Sequence, residues 1–456
     1  MGRYAALRRT LRQWNVPATA ALAGCLVATT LAACGGPTGR TDSTCDGELN
    51  GPGPTYLTVW FHDSADVSAE ATTLREQVDA FNAAEREVQV KLITLPLGDY
   101  ARQVEIATAH GNLPDVLDFD GPNLYNYAWT GKLKPIDSCA SPALREDLLP
   151  SILQQGTYAD RLWGVGTFDS GLGLYVRPSI LTGAGIRIPT GPGDAWTVEE
   201  FTDALQRLRQ AGFQQPLDLR LSADNTEWYT YGFAPAVWSA GGDLIDRSTY
   251  RDVDGFLNGP PAVNALTVLQ QWYSAGYVDP NTDQAAFTAG RSPISWIGHW
   301  AFDRYTEAFP EDVRIVPLPD FGHGAVTDSG SWQWGITSNA TDGDAAWRFL
   351  AFLLGPREVV RMTDANGAIP ATRSAVGMSP NFAPGGPEHL YIRQLADGVA
   401  QSRPQTPVYP ALSAAFADAF DEAVIQGRPV KESLDAAVRR VEGDLRDHQY
   451  YPPPSR

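Results

Sequence analysis

Aromatic and acidic side chains recur close together along this chain, and that grouping is the first feature with chemical content. His62-Asp63, Phe119-Asp120 and Trp228-Tyr229 are adjacent pairs. Asp169 and Trp238 stand shortly before Gly171 and Gly241, Trp300 closes the run ISWIGHW, and Trp332 and Trp334 flank Gln333. Arg373 follows Pro370-Ala371-Thr372. A flat ring covers an apolar C–H face, and a carboxylate, amide or guanidinium serves hydroxyl groups. Such a set suits a polyhydroxylated solute. Paired acids with aromatics would equally suit a polyamine, and two carboxylates across a cleft could hydrolyse a glycoside. Each residue also has a purely structural use. Tryptophans mostly pack, His62 and Asp63 can cap the following helix, Asp169 can brace its own turn, and Arg373 can pair with a surface acid. There is no GxSxG, HExxH or P-loop pattern, and no CxxC or His-rich cluster to suggest a metal. No cofactor is expected.

These residues must be positioned by the elements around them. Tyr56–Phe61 reads as a buried strand, and Ser68 can cap a helix with Leu74, Val78 and Phe81 on its apolar face. Val88, Val90 and Leu92 alternate as a second strand, residues 98–110 are helical, and Pro114–Asp120 is a third strand. The order β-α-β-α-β implies a parallel sheet. His62, Asp63, Phe119 and Asp120 then lie at strand carboxyl ends, where such sheets bind ligands. The turn His62–Asp66 lacks the dinucleotide glycine fingerprint and carries acids where a phosphate would sit. Asp160–Arg177, two short extended runs broken by glycines, reads either as a hairpin or as a crossover to a second lobe. The length of 456 residues predicts two lobes. Beyond the crossover, Thr197 and Glu200 form a capping box ahead of Val198, Phe201, Leu205 and Leu208. Asn258-Gly259-Pro260 opens a helix carrying Val263, Leu266, Leu269 and Tyr273. Residues 345–354 form an apolar helix stopped by Gly355-Pro356, and two helices fill roughly 409–426 and 430–447. Trp60, Trp272 and Trp347 fall inside regular elements and read as packing.

The chain carries 35 basic and 53 acidic residues, a formal charge of −18. An acidic body excludes nucleic acid as a natural partner. The first 33 residues are different, with Arg3, Arg8, Arg9 and Arg12 followed by a small apolar run from Val16 to Ala33. This is the pattern of a cleaved leader. Leu31-Ala32-Ala33-Cys34 resembles the bacterial lipobox, in which the cysteine is lipidated and becomes the first residue; Leu22-Ala23-Gly24-Cys25 also matches but follows a shorter apolar run. One lipid would tether an otherwise soluble protein to a membrane surface. Residues 34–54, rich in Gly, Pro, Ser, Thr and Asp, read as a flexible tether. Cys45 and Cys139 remain in the mature chain, and an even pair outside the cell predicts a disulfide.

Taken in order, these pieces resemble the extracellular solute-binding proteins of ABC transporters, family 1, the carbohydrate-binding group. The resemblance runs from about Tyr56 to Arg446. It is carried by Leu113-Pro114-Asp115-Val116 with Gly131-Lys132-Leu133-Lys134-Pro135, by Leu162-Trp163-Gly164-Val165 through Leu174-Tyr175, and by Trp238–Leu244. Phe287, Gly290, Ile294–Trp300, Val316–Pro319, Gly330–Ile336, Ala345–Leu350 and Asn366–Ala371 complete it. Arg177, Pro293-Ile294 and Gly330-Ser331 depart from residues common in the family. The resemblance implies an α/β, two-lobed periplasmic-binding-protein type II fold, each lobe a sheet flanked by helices, with a hinge between. The implied division is a lipoprotein leader at 1–33, the tether at 34–54, a first lobe from 55–166 and 329–403, and a second from 167–328 and 404–456. It implies a monomeric binder rather than an enzyme, held on the extracellular face of the cytoplasmic membrane by lipid on Cys34, passing a saccharide to permease subunits. Glycerol phosphodiester, polyamine or peptide are the alternatives on the same fold, and a secreted glycoside hydrolase is the alternative outside it. The implied cleft contains His62, Asp63, Phe119, Asp120, Asp169, Trp228, Tyr229, Trp238, Trp300, Trp332, Trp334 and Arg373, with Trp300 and Asp120 gripping ligand from opposite lobes.

Overall fold

Alternating burial along Thr55–Asp63 (β1), with Leu57, Val59 and Phe61 inside, makes this strand the centre of the first sheet. Burying each of those side chains is worth about 1.5–3 kcal/mol. The computed structural model describes residues 43–51, 53–64, 68–222 and 226–453. The expectations for Cys25, Cys34 and the leader lie outside the described residues. β1 pairs in parallel with Val88–Pro96 (β2) on one side and Val116–Asp120 (β3) on the other. The helices Ser68–Ala84 (α1) and Leu97–His110 (α2) make the connections. β3 continues into the short helix Leu124–Trp129 (α3).

The second sheet is built from Leu172–Val176 (β4), Leu217–Asp218 (β5), Ile294–Gly298 (β6) and Arg314–Val316 (β7), in the order β7-β4-β6-β5. Its core is aromatic, with Trp196, Phe201, Phe233, Trp272, Trp296 and Phe420 buried together. Val198–Gln210 (α4) starts at the expected capping box, Thr197 Oγ1 accepting from the Glu200 amide and Glu200 accepting from the Thr197 amide. Thr226–Ser239 (α5) packs over this core. The chain then returns to the first sheet as Trp332–Ile336 (β8), antiparallel to β3, which completes the order β8-β3-β1-β2. Gly343–Leu353 (α6) and Pro356–Asn366 (α7) cover it. His389–Ala396 (α8), Tyr409–Phe420 (α9) and Val430–Asp447 (α10) end the chain. Among the described residues no helix is long and apolar enough to cross a membrane.

Asp160–Arg177 is a crossover, not a closed hairpin. Phe168-Asp169 pairs with Ile369-Pro370, Gly171 bridges to Ser329, and the chain goes directly into β4 of the second sheet. Thr327–Ser329 runs beside Ala400–Ser402, so the passages between lobes lie together. His299 sits at this junction, fully buried, with Nδ1 donating to Asn366 O at 2.9 Å and Nε2 accepting from Ser170 Oγ at 3.0 Å. Burial lowers its pKa to about 4, so it is neutral. Residues 382–395, expected with the first lobe, pack on the second: Phe382, Leu390 and Tyr391 join Tyr175, Phe287 and Ile315 in one cluster.

The described part of the expected tether is docked. Thr44 Oγ1 donates to Pro135 O, and Cys45 N donates to Ser138 Oγ at 3.1 Å. Asp46 N donates to Asp344 at 2.9 Å and Asn50 N to Asp342 at 2.8 Å. Gly- and Asp-rich composition predicted disorder because the segment has no core of its own; it is fixed by acceptors almost three hundred residues away. Cys45 and Cys139 are bonded, with Cα atoms 5.2 Å apart. The last part of the chain meets α3. Asn126 Nδ2 donates to Pro407 O at 3.0 Å, Trp129 Nε1 donates to Pro452 O at 2.9 Å, and the Trp129 ring stands edge-on to Tyr451 at 4.8 Å.

Candidate ligand-binding cleft

β3 ends in the first lobe at Asp120, directly opposite Trp332 at the start of β8. Both side chains therefore leave the same face of the sheet. The turn past Asp120 needs Gly121, since a Cβ there would lie 2.5 Å from Ser331 O. Trp332 is half-buried and lies flat on His62, ring centroids 3.5 Å apart and 14° from parallel. His62 is buried, its Nδ1 bound to Asp118 and its Nε2 3.6 Å from Glu70. Burial works against its charge, but Asp118 and Glu70 outweigh it and raise the pKa to about 10. The indole of Trp332 thus rests on a fixed imidazolium, a favourable face for a cation.

The second lobe presents Trp300. Its half-buried ring lies across Gly298, where a Cβ would strike the indole at 2.1 Å. Trp228 stands perpendicular to it at 6.0 Å, and Tyr231 lies at the same centroid distance. Glu227 and Tyr231 are four residues apart on α5 and share one face.

Arg403 connects the two lobes. Its side chain is 3% exposed, and its two terminal nitrogens donate to the two Asp120 oxygens at 2.9 and 3.0 Å. Nη1 also donates to Glu227, and the guanidinium carbon lies 4.7 Å from the centre of the Tyr231 ring. Glu227 accepts further from Tyr409 and Ser413. Asp328, fully buried, comes no nearer than 3.9 Å to Arg403 Nε. Neither Asp328 oxygen has a hydrogen-bond partner among the described residues; nor do Tyr231 OH, Asp169 Oδ2, Arg403 Nε or the Gln333 amide. Buried polar atoms normally find partners, so this group is a concentrated exception. Burial raises the pKa of Glu227, of Asp169 and, by far the most, of Asp328, despite the nearby Arg403. Among the described residues no group of three or more His, Cys, Asp or Glu side chains could hold a metal ion.

The structure brings Asp120, Trp332 and Trp300 together with Arg403, Glu227, Tyr231 and Asp328, while Trp228 is buried in the second core, its Nε1 donating to Leu219 O at 3.1 Å. It places the other expected residues elsewhere. Phe119 is 1% exposed and packs edge-on to Tyr127, because neighbours on a strand face opposite ways and Asp120 takes the cleft side. Trp334 is buried against Phe61 in the first core. His62 supports Trp332 from beneath, and Asp63 faces Arg75 at 3.5 Å. Asp169 braces the crossover, accepting from the Ser170 and Gly330 amides at 2.8 and 3.0 Å. Tyr229 stacks on Phe420 and donates to Ser222 O. Trp238 ties its turn by donating to Asp243 at 3.0 Å. Arg373 is exposed at the start of the helical turn Arg373–Val376. Glu227 and Tyr231 could have been found from the run TEWYTY, an acid and an aromatic at helical spacing. Arg403 had no such signal, since its partner Asp120 is 283 residues away.

Two lobes on separate sheets, with the passages between them bundled at one junction and rings and buried polar groups beside it, form the architecture of a two-lobed solute-binding protein. The chain belongs to the bacterial extracellular solute-binding proteins, whose family pattern matches residues 76–383. It is similar in structure to the GacH receptor of Streptomyces glaucescens, solved unliganded and with acarbose: TM-score 0.74, 20% identity, covering 86% of this chain and 99% of that one. UgpB of Mycobacterium tuberculosis, solved with glycerophosphocholine, matches with a TM-score of 0.73 and 18% identity over 88% of this chain and 100% of that one. In sequence the chain is 24% identical over 334 residues to an uncharacterized lipoprotein in the oleD 5' region of Streptomyces antibioticus, covering 70% of this chain and 72% of that one.

Proposed function

We propose that this protein is the receptor of an ABC importer, held on the extracellular face of the membrane by lipid on Cys34. It captures a saccharide in the cleft and passes it, as a monomer and without chemical change, to the permease subunits. One observation supports the reading: Trp332 and Trp300 are half-buried rings, and Asp120, the cross-strand partner of Trp332, is joined through Arg403 to Tyr231, the ring neighbour of Trp300, among buried polar atoms that lack partners. Rings suit the C–H faces of a sugar, and Tyr231, Arg403 and the carboxylates suit its hydroxyls. A ligand touching both lobes favours the closed arrangement by its differential affinity. The likeness to UgpB favours glycerol phosphodiester as a second reading. The single guanidinium of Arg403 among several acids opposes a phosphate there. A thermal-shift screen of the full chain over saccharides, phosphodiesters, polyamines and peptides tests the proposal. A ligand at a hundred times its Kd adds about 2.7 kcal/mol. A saccharide should give the largest shift, and Trp300→Ala should weaken its binding at least tenfold. A larger shift from a phosphodiester moves the assignment to the second reading, and cleavage of a glycoside overturns the binding role.

A further inference from the structure

The cleft holds more carboxyl groups than it has cations to pair with them. Asp120, Glu227 and Asp328 surround one cation, Arg403. The other nearby cation, Arg247, is held by Asp243. Arg403 spends its terminal nitrogens on Asp120 and Glu227, leaving Asp328 beyond hydrogen-bond distance, 0% exposed and with both oxygens unpartnered. Neutral hydroxyls can donate to such a carboxylate but cannot cancel its charge, and an uncompensated buried charge is costly. Aromatic faces that attract cations stand beside it: Tyr231 is already in contact with Arg403, and Trp228 and Trp300 adjoin Tyr231.

We infer that the saccharide this cleft accepts carries an amine, whose ammonium is held by Asp328 and Glu227 beside the Tyr231 ring. The inference rests on the saccharide reading above and narrows it. In the unliganded protein, burial favours the protonated form of Asp328, whose oxygens have no donors among the described residues. An ammonium stabilises its ionised form, so binding releases a proton to solvent. Affinity for the amine therefore rises with pH, until the ligand's own amine loses its proton. The groups facing Asp328 that shape this dependence are Arg403, Glu227, Arg247 and Asp120, with Tyr231 and, around Glu227, Tyr409.

Titration calorimetry on the full chain in detergent tests this with matched probes: amine-bearing glucosamine oligosaccharides, their N-acetylated counterparts, the neutral glucose oligosaccharides of equal length, spermidine and glycerophosphocholine. The amine-bearing saccharide should bind at least tenfold tighter than either counterpart, tighten between pH 5.5 and 7, and release protons, read as a buffer-dependent enthalpy. Asp328→Asn and, separately, Glu227→Gln should reduce the preference to under threefold, with folding verified by a cooperative melt. Equal binding of the amine and N-acetyl forms overturns the inference and leaves the saccharide reading standing. Tightest binding by spermidine or glycerophosphocholine, or no saccharide binding at all, overturns both.

Discussion

Arg403→Ala is the sharpest test of how the cleft is held. Arg403 is 3% exposed and makes a two-pronged bond to Asp120 and a further bond to Glu227, with Asp328 3.9 Å away. Removing the guanidinium strands these carboxylates, and breaking a buried pair costs about 3–5 kcal/mol. The Asp120 side chain is 17% exposed and Glu227 32%, so both can draw water and the cost falls near the lower end, about 3 kcal/mol. Each lobe is comparable to a domain for which 1 kcal/mol moves Tm by roughly 2–4 °C. Calorimetry at pH 7.5 should therefore show a loss of about 6–12 °C. The sign of the pH dependence is definite. Without Arg403 the folded-state pKa values of Glu227 and Asp328, already raised by burial, rise further above their unfolded values near 4, so the penalty operates above that pH and fades as the acids protonate below it. At pH 4 the gap between variant and parent should shrink to about 2 °C. Arg403→Lys keeps the charge but not the fork and should lose less than half as much at pH 7.5. A loss under 1 °C at pH 7.5, or an equal loss at both pH values, refutes the reasoning.

The disulfide should stabilise the first lobe, since it closes a loop of 94 residues and a loop of that size is worth up to about 4.7 kcal/mol; urea midpoints that do not differ between the parent and a Cys45→Ser, Cys139→Ser double variant would sink this. The His62 imidazolium should contribute stability that is complete below its unfolded pKa of about 6.5 and is lost as pH rises through about 10. His62→Gln should flatten the stability profile between pH 8 and 10.5, and an NMR titration placing His62 near 6.5 would contradict it. Mass spectrometry of the membrane fraction should find a mature chain beginning at a lipidated Cys34, and an unlipidated soluble form beginning elsewhere rules that out.

Much of the framework was readable locally. The capping box at Thr197 and Glu200 and the strand-helix alternation before Asp120 depend on neighbours in sequence, and they appear as expected. The cleft was only partly readable. Asp120 and Trp300 could be placed because each ends a strand or follows one. Phe119 and Trp334 failed because a residue type and a strand end do not reveal which face a side chain takes or how deep in the sheet it lies. Asp169 and Trp238 were spent on bracing turns, the structural use their glycine-rich surroundings allowed. Arg403, the residue on which the arrangement turns, sits in the polar run QSRPQ with no pattern around it. Its significance comes entirely from partners brought to it by the return of the chain.

The edge where Trp129 meets the end of the chain has a kinetic consequence. The bonds of Asn126 to Pro407 and of Trp129 to Pro452 are directional and polar, and ring contacts of Trp129 with Tyr451 and His448 add cover. Contacts strung along one edge can be given up one at a time, like a zip, with water taking each vacated position before the next bond lengthens. The barrier to parting this edge is then set by the hardest single step, not by the sum, which leaves the Arg403 bridge to Asp120 and Glu227 as the separate, concerted part of any opening. Trp129 also reports on its own release: losing Tyr451 and entering water would shift its emission to longer wavelength, a clock for the opening rate that requires no added dye.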